Sequence, residues 1–177
     1  VAALTRLNDA CEPLFRCGSS NAGGFKVFGG AYLPAAQTLN LGVAKVNRVE
    51  VSAMRFGKIS SSGQGVKYTW NDDDGVYVPS DVAIQRKVQA DAIAGAAVME
   101  IALAGQLTLA AKLGVAYVSA TSAIEHDGRR FDSKTKSSVQ PYAGLGLEYA
   151  LPGDVRLQGG VDWTRYRAAG RSGSATQ

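Results

Sequence analysis

Val139-Gln140-Pro141-Tyr142-Ala143-Gly144-Leu145-Gly146-Leu147-Glu148-Tyr149-Ala150-Leu151 alternates two kinds of side chain. The odd positions carry Val139, Pro141, Ala143, Leu145, Leu147, Tyr149 and Leu151. The even positions carry Gln140, Tyr142, Gly144, Gly146, Glu148 and Ala150. A period of two marks a β-strand, because successive side chains of an extended chain point to opposite faces. After the break Leu151-Pro152-Gly153-Asp154 the pattern resumes over 155–166. There Val155, Leu157, Gly159, Val161, Trp163 and Arg165 oppose Arg156, Gln158, Gly160, Asp162, Thr164 and Tyr166.

The same alternation extends upstream. Residues 107–117 set Leu107, Leu109, Ala111, Leu113, Val115 and Tyr117 against Thr108, Ala110, Lys112, Gly114 and Ala116. Residues 88–98 set Val88 and a row of even-numbered alanines against Gln89, Asp91, Ile93, Gly95 and Ala97, with the alanine row read as the apolar face. Residues 25–33 set Phe25, Val27, Gly29, Ala31 and Leu33 against Lys26, Phe28, Gly30 and Tyr32. In 48–56, Val49, Val51 and Ala53 alternate with Arg48, Glu50 and Ser52. Leu39–Val43 is either the start of a long strand or a short hairpin arm. A competing helix over 92–111 is long enough for a bilayer of ~30 Å, but Glu100 and Gln106 fall inside it. A central carboxylate costs roughly 2.5–3.5 kcal/mol there, and the same residues cost little at a turn between strands.

Four polar, turn-rich spacers, 5–23, 57–86, 121–138 and 168–177, separate the apolar segments. Shorter breaks lie at 33–37, 102–106 and 151–154. Long loops thus alternate with short turns, as in barrels that cross a membrane with long loops on one side. Hydrophobic residues make up 46% and Gly 21 of 177 residues, while charged residues reach only 19%. The chain is therefore neither a disordered polymer nor a Leu/Glu/Lys-rich bundle. A net charge of +4 raises the question of nucleic acid, but the Lys and Arg are dispersed and Asp127 and Asp132 interrupt the nearest cluster.

The minor face decides which way the sheet faces. It carries Lys26, Glu50, Asp91, Lys112, Glu148, Arg156 and Asp162 among glycines and small residues. A soluble sheet turns its apolar face inward, and a membrane barrel turns it to lipid around a polar interior. Balanced charges among glycines fit a paired lumen network better than a solvated surface. Phe25, Tyr117, Tyr149 and Trp163 fall on the apolar face near segment ends, as an aromatic girdle does.

Cys11 and Cys17 sit in a loop-like stretch with no zinc spacing and the single histidine far away, so a local disulfide in an oxidising compartment is expected. Val1 begins the sequence with no basic-then-apolar leader, so an exported chain is expected to have lost its signal.

Gly24-Phe25-Lys26-Val27-Phe28-Gly29-Gly30-Ala31-Tyr32 resembles the second strand of the OmpA-like outer-membrane barrels. Arg48-Val49-Glu50-Val51 is similar to their third strand, Gln140–Tyr149 to their sixth and Val161–Tyr166 to their seventh. The resemblance runs over most of 24–167. It implies an all-β, antiparallel up-and-down transmembrane β-barrel over 1–177, with eight strands expected and Glu50, Lys112, Glu148 and Arg156 at lumen positions. It also implies a bacterial cell outer-membrane location, contact with membrane lipid and lipopolysaccharide, and room for self-association. Six strands are clear, residues 1–7 could end a first, and none is expected after 167. The function expected is that of an outer-membrane barrel with a structural or narrow-pore role and surface-exposed loops, and a soluble or self-assembling β-protein that binds a ligand or neighbouring copies through its strand edges is the alternative. His126 between Glu125 and Asp127 forms no triad by adjacency, and Asn71-Asp72-Asp73-Asp74-Gly75 lacks the distal Glu of an EF-hand loop. No enzyme, cofactor or metal is expected.

Overall fold

The computed structural model describes residues 2–8, 15–16, 21–126, 129–153, 156–168 and 171–177. Nearly all of them are extended. The strands are β1 (Ala2–Asn8), β2 (Phe15–Arg16), β3 (Asn21–Tyr32), β4 (Leu39–Leu41), β5 (Ala44–Arg55), β6 (Ile59–Asn71), β7 (Val76–Ala104), β8 (Leu107–His126), β9 (Arg129–Ala150), β10 (Arg156–Ala168) and β11 (Arg171–Thr176). One 3-10 turn lies at Ala35–Gln37. Every pairing is antiparallel.

The pairings form a ring. From Asn21 on β3 they lead to Arg6 on β1, Thr176 on β11, Trp163 on β10, Ala143 on β9, Leu113 on β8, Ala97 on β7 and Val49 on β5. They return to β3 at Ala31, ten residues beyond the start, since 31 less 21 is ten. Eight strands therefore close an up-and-down barrel. With ~3.3 Å per residue along a strand and ~4.8 Å between strands, that displacement sets a strand tilt of roughly 40°.

The ring closes toward the end that carries the long hairpins. Toward the short-turn end, β1 pairs down to Ala2 opposite Phe25, and Gln177 makes the last backbone bonds to Asp162, at 2.6 and 2.8 Å. Below these rows β3 and β10 face each other with no strand between them among the described residues.

Several expectations are corrected. Residues 171–176 form a strand, and Ala2–Asn8 is a strand that pairs with β3 over Ala2–Arg6 and with β11 over Arg6–Asn8. These two complete the eight. The spacers 57–86 and 121–138 are mostly strand, forming β6 and the ends of β7, β8 and β9. The spacer 5–23 likewise contains the end of β1, all of β2 and the start of β3. Strands that leave the barrel have water on both faces and need no apolar alternation, so they resemble loops in composition. Residues 92–111 are strand, turn and strand, with Gly105 at φ 57 in the turn. No helix among the described residues is long and apolar enough to cross a membrane. β4 is a hairpin arm folded back on β5 around Gly42, at φ 73. A register shift between Val46 and Arg48 leaves Asn47 outside the ladder.

The faces are inside out. Val27, Val51, Ile93, Leu113, Val115, Leu145, Leu157 and Val161 are exposed on the wall, while Lys26, Glu50, Lys112 and Glu148 are buried. With one sheet and no second layer, only ring closure buries these charges. Residues 88–98 face opposite to the sequence expectation. Ala90, Ala92, Ala94, Ala96 and Val98 are buried in the lumen, and Ile93 faces outward. A lumen crossed by Lys and Tyr side chains needs small residues opposite them, so alanine goes in and isoleucine goes out.

Gly114 shows how close the packing is. A Cβ added there would strike the Gly95 carbonyl and lie 2.7 Å from Ala96 Cα, whereas one added at Gly95 meets nothing within 4 Å. Gly114→Val is expected to lower the unfolding free energy in lipid by about 2 kcal/mol. Gly95→Ala should change it by less than about 0.5 kcal/mol. Urea unfolding of both variants in vesicles checks the pair.

Candidate functional site

Alternation along β3, β5, β8, β9 and β10 brings even-numbered side chains into the lumen. There they form two clusters. In the upper one, Lys26 Nζ donates to Asp162 Oδ2 at 2.6 Å, Tyr142 Oη at 3.1 Å and Glu50 Oε1 at 3.3 Å. Lys112 Nζ donates to the same Glu50 oxygen at 2.8 Å. Tyr142 Oη donates to Asp162 Oδ1 at 2.6 Å. Lys26 and Lys112 also flank the Phe28 ring, at 5.2 and 5.3 Å from its centroid. Glu50 is 4% exposed and Lys112 3%.

The lower cluster lies at the short-turn end. Arg48 grips Glu148 with both terminal nitrogens, Nη1 to Oε2 at 3.1 Å and Nη2 to Oε1. It also reaches Glu100 at 3.4 Å. Arg156 lies 3.3 Å from Glu148 and 3.7 Å from Glu100. Asn47 Nδ2 donates to Glu100 Oε2 at 2.9 Å, and the Tyr32 hydroxyl donates to Oε1 at 3.4 Å. The Arg48 and Arg156 guanidinium groups lie 5.8 and 5.4 Å from the Tyr32 ring centroid. A bidentate Arg–carboxylate pair is the directional form of such a bond. Across both clusters four cations, Lys26, Lys112, Arg48 and Arg156, meet four anions, Glu50, Asp162, Glu148 and Glu100. The network is neutral.

The expected set is thus brought together except for Asp91. Asp91 lies on the outer wall, where it accepts a bond from Arg55 Nε at 2.8 Å, the two side chains 45% and 56% exposed. The alanine row displaces it from the lumen, since Asp91 has the opposite parity. Arg48, Glu100, Tyr142, Tyr32 and Asn47 were absent from the expected set. Arg48 shares the parity of Glu50, so strand parity marks it; Glu100 shares that of Val98, a face that only the partner register shows to be inward.

Toward the long-hairpin end an apolar layer closes the lumen. It includes Met54, Phe56, Val88, Val118, Tyr142 and Tyr166, packed against the buried alanines. The cavity beside Lys26, Lys112 and Asp162 has a volume of about 70 Å³. That holds water but not an organic ligand, whose pockets run to roughly 300–1,000 Å³.

Phe25, Tyr117 and Tyr149 are exposed on the outer wall. Trp163 is half-buried there, with the Arg165 guanidinium 5.6 Å from its ring. Cys11 and Cys17 lie outside the described residues. His126 Nδ1 is 3.0 Å from the Ala83 carbonyl oxygen. Its neighbour Glu125 pairs with Lys87, whose hydrogen bond holds the Glu125 carboxyl below the usual carboxylate range. In the acidic turn, Asn71 bonds Asp74 and the Asp73 amide, at 2.7 and 3.2 Å.

Glu50 is the ion-pair partner of Lys112. Glu50→Ala is expected to destabilise the barrel by roughly 3–5 kcal/mol, because it leaves that ammonium buried without an anion. Asp91→Ala, which breaks an exposed pair, should cost no more than about 1 kcal/mol. Reversible urea unfolding in vesicles measures both.

No family model and no curated protein matches the chain. Among solved structures it is similar to Ail, the attachment invasion locus protein of Yersinia pestis. The identity is 12%, over 99% of this chain and 89% of that one, with a TM-score of 0.41. A likeness at that level carries no argument, and the assignment rests on the chain's own pairing and faces. They make it an all-β, antiparallel up-and-down barrel of the transmembrane kind.

Proposed function

We propose that the chain is an outer-membrane barrel with a structural role, which anchors long surface hairpins and does not conduct. One observation supports this above the rest: the apolar face of the ring points outward and the charges point in, an arrangement stable in lipid and costly in water. Single-chain barrels of antiparallel strands with short turns on one side are the outer-membrane solution to spanning, because lipid offers the backbone no hydrogen-bond partners and pairing around a ring supplies them. Membrane lipid, including lipopolysaccharide in the outer leaflet, is the partner this reading assigns to the aromatic wall. The apolar layer around Phe56 and Tyr166 supports a structural role over a narrow pore, since an ion crossing it would shed its water. The reading assigns no catalytic step to His126.

Two measurements check it. The protein should partition into membranes, come out only with detergent and run at different gel mobilities before and after boiling. A monomer fully soluble without detergent would favour the soluble alternative. In planar bilayers it should give no steady single-channel current. Regular steps would restore the pore reading.

A further inference from the structure

On the outer wall, β3, β5, β7 and β8 present their side chains in registered rows. One row sets Phe25, Arg55, Asp91 and Ser119 side by side. The next, two residues toward the short-turn end, sets Val27, Ala53, Ile93 and Tyr117 in the same order. The third is Gly29, Val51, Gly95 and Val115. A groove of about 410 Å³ lies across the first two rows, within the roughly 300–1,000 Å³ of ligand pockets. Arg55, Asp91 and Ser119 line its end toward the long hairpins, and Ala53 and Ile93 line it toward the short turns. Polar above and apolar below, it has the polarity of a lipid standing in the leaflet beside it.

Arg55 and Asp91 are the charged residues of the lining. Their bond runs from Arg55 Nε to Asp91 Oδ1 at 2.8 Å, which leaves both terminal nitrogens and Oδ2 outside it. The two side chains are 56% and 45% exposed, so these atoms can be reached from the membrane side. The Phe25 ring, 5.8 Å from the guanidinium, steadies the cation from one flank.

We propose that this groove holds one phosphatidylethanolamine molecule of the leaflet at the long-hairpin end. Its phosphate sits on the Arg55 terminal nitrogens, its ammonium on Asp91 Oδ2, and its acyl chains lie along Ala53, Ile93 and the open wall at Gly95. Charge complementarity chooses the occupant. The site carries one cation and one anion side by side, and it matches a headgroup that carries one of each. A headgroup with a phosphate alone would gain Arg55 and be repelled by Asp91. A guanidinium binds phosphate through paired N–H donors. A carboxylate oxygen accepts a hydrogen bond from a primary ammonium, which a quaternary one has no hydrogen to make. Three strands make the groove ~10 Å across, the width of one two-chain lipid and narrower than the phosphorylated disaccharide of lipopolysaccharide. The site rests on the membrane reading above, which puts this level of the wall in a leaflet.

Native mass spectrometry of the full chain, released from detergent micelles doped with one lipid at a time, tests it. The lipids are phosphatidylethanolamine, phosphatidylcholine and phosphatidylglycerol with the same acyl chains. The wild type should retain one phosphatidylethanolamine, about tenfold more tightly than either of the others. Asp91→Asn should remove that preference and raise phosphatidylglycerol binding, because the repelling charge is gone. Arg55→Gln should weaken all three. Equal retention of the three lipids, a preference for the choline or glycerol headgroup, displacement by added lipopolysaccharide, or a phosphatidylethanolamine preference unmoved by both substitutions would overturn the proposal. The heat-dependent mobility shift is read on every variant. A folded, detergent-requiring barrel with no lipid preference means failure of the groove, whereas a chain soluble without detergent means failure of the membrane reading.

Discussion

Glu50 between Lys26 and Lys112 is the contact on which the rest of this barrel depends. Three charges on three strands share one buried point, and a buried charge is tolerable only when paired. Strand parity then follows on β3, β5 and β8. If Glu50 points in, Val49 and Val51 point out, and a slip of one residue would send the carboxylate to lipid and the valines into the lumen. Asp162 and Tyr142 extend the same constraint to β10 and β9. Such a network is weak as a source of net stability and strong as a selector of register.

Ring geometry explains the company these charges keep. Eight strands with a displacement of ten residues enclose a lumen about as wide as its own side chains. Long cations can cross it only where the facing wall is small. Gly144 lies beside Asp162 and Lys112, and the alanine row of β7 and β8 occupies the rest. The lumen thus has a charged layer, a second charged layer at the short-turn end and an apolar layer toward the hairpins. The packed interior frees the molecule's chemistry for its outside, where the aromatic wall and the projecting sheet lie.

Much of this was legible in the sequence, and the failures have physical causes. β9 and β10 show strong alternation because one face meets lipid and the other meets charge, so Glu148 and Asp162 could be placed from parity alone. In 88–98 both faces are apolar, and period two cannot say which is outside. The partner register, Asp91 opposite Arg55, decides it, and register is a long-range property. β11 reads Arg-Ser-Gly-Ser-Ala-Thr and has no pattern of its own. It is a strand because β10 and β1 offer it two edges. β6 and the outer halves of β7 to β9 were hidden for the opposite reason, since a sheet wetted on both faces has the composition of a loop. Arg48 could have been found, because it continues the inward parity of Glu50; Glu100 could not, because it shares the undecided parity of 88–98.

The central claim, that the apolar face of the ring meets lipid while the hairpins stand in water, can be tested with the chain's own two tryptophans. Trp163 lies on the outer wall and Trp70 on the projecting hairpin. In vesicles with brominated acyl chains, a Trp70→Phe variant should report Trp163 fluorescence that the lipid quenches. A Trp163→Phe variant should report Trp70 fluorescence that the lipid leaves unchanged and aqueous iodide quenches. Trp163 untouched by brominated lipid in a folded barrel would contradict the inside-out assignment.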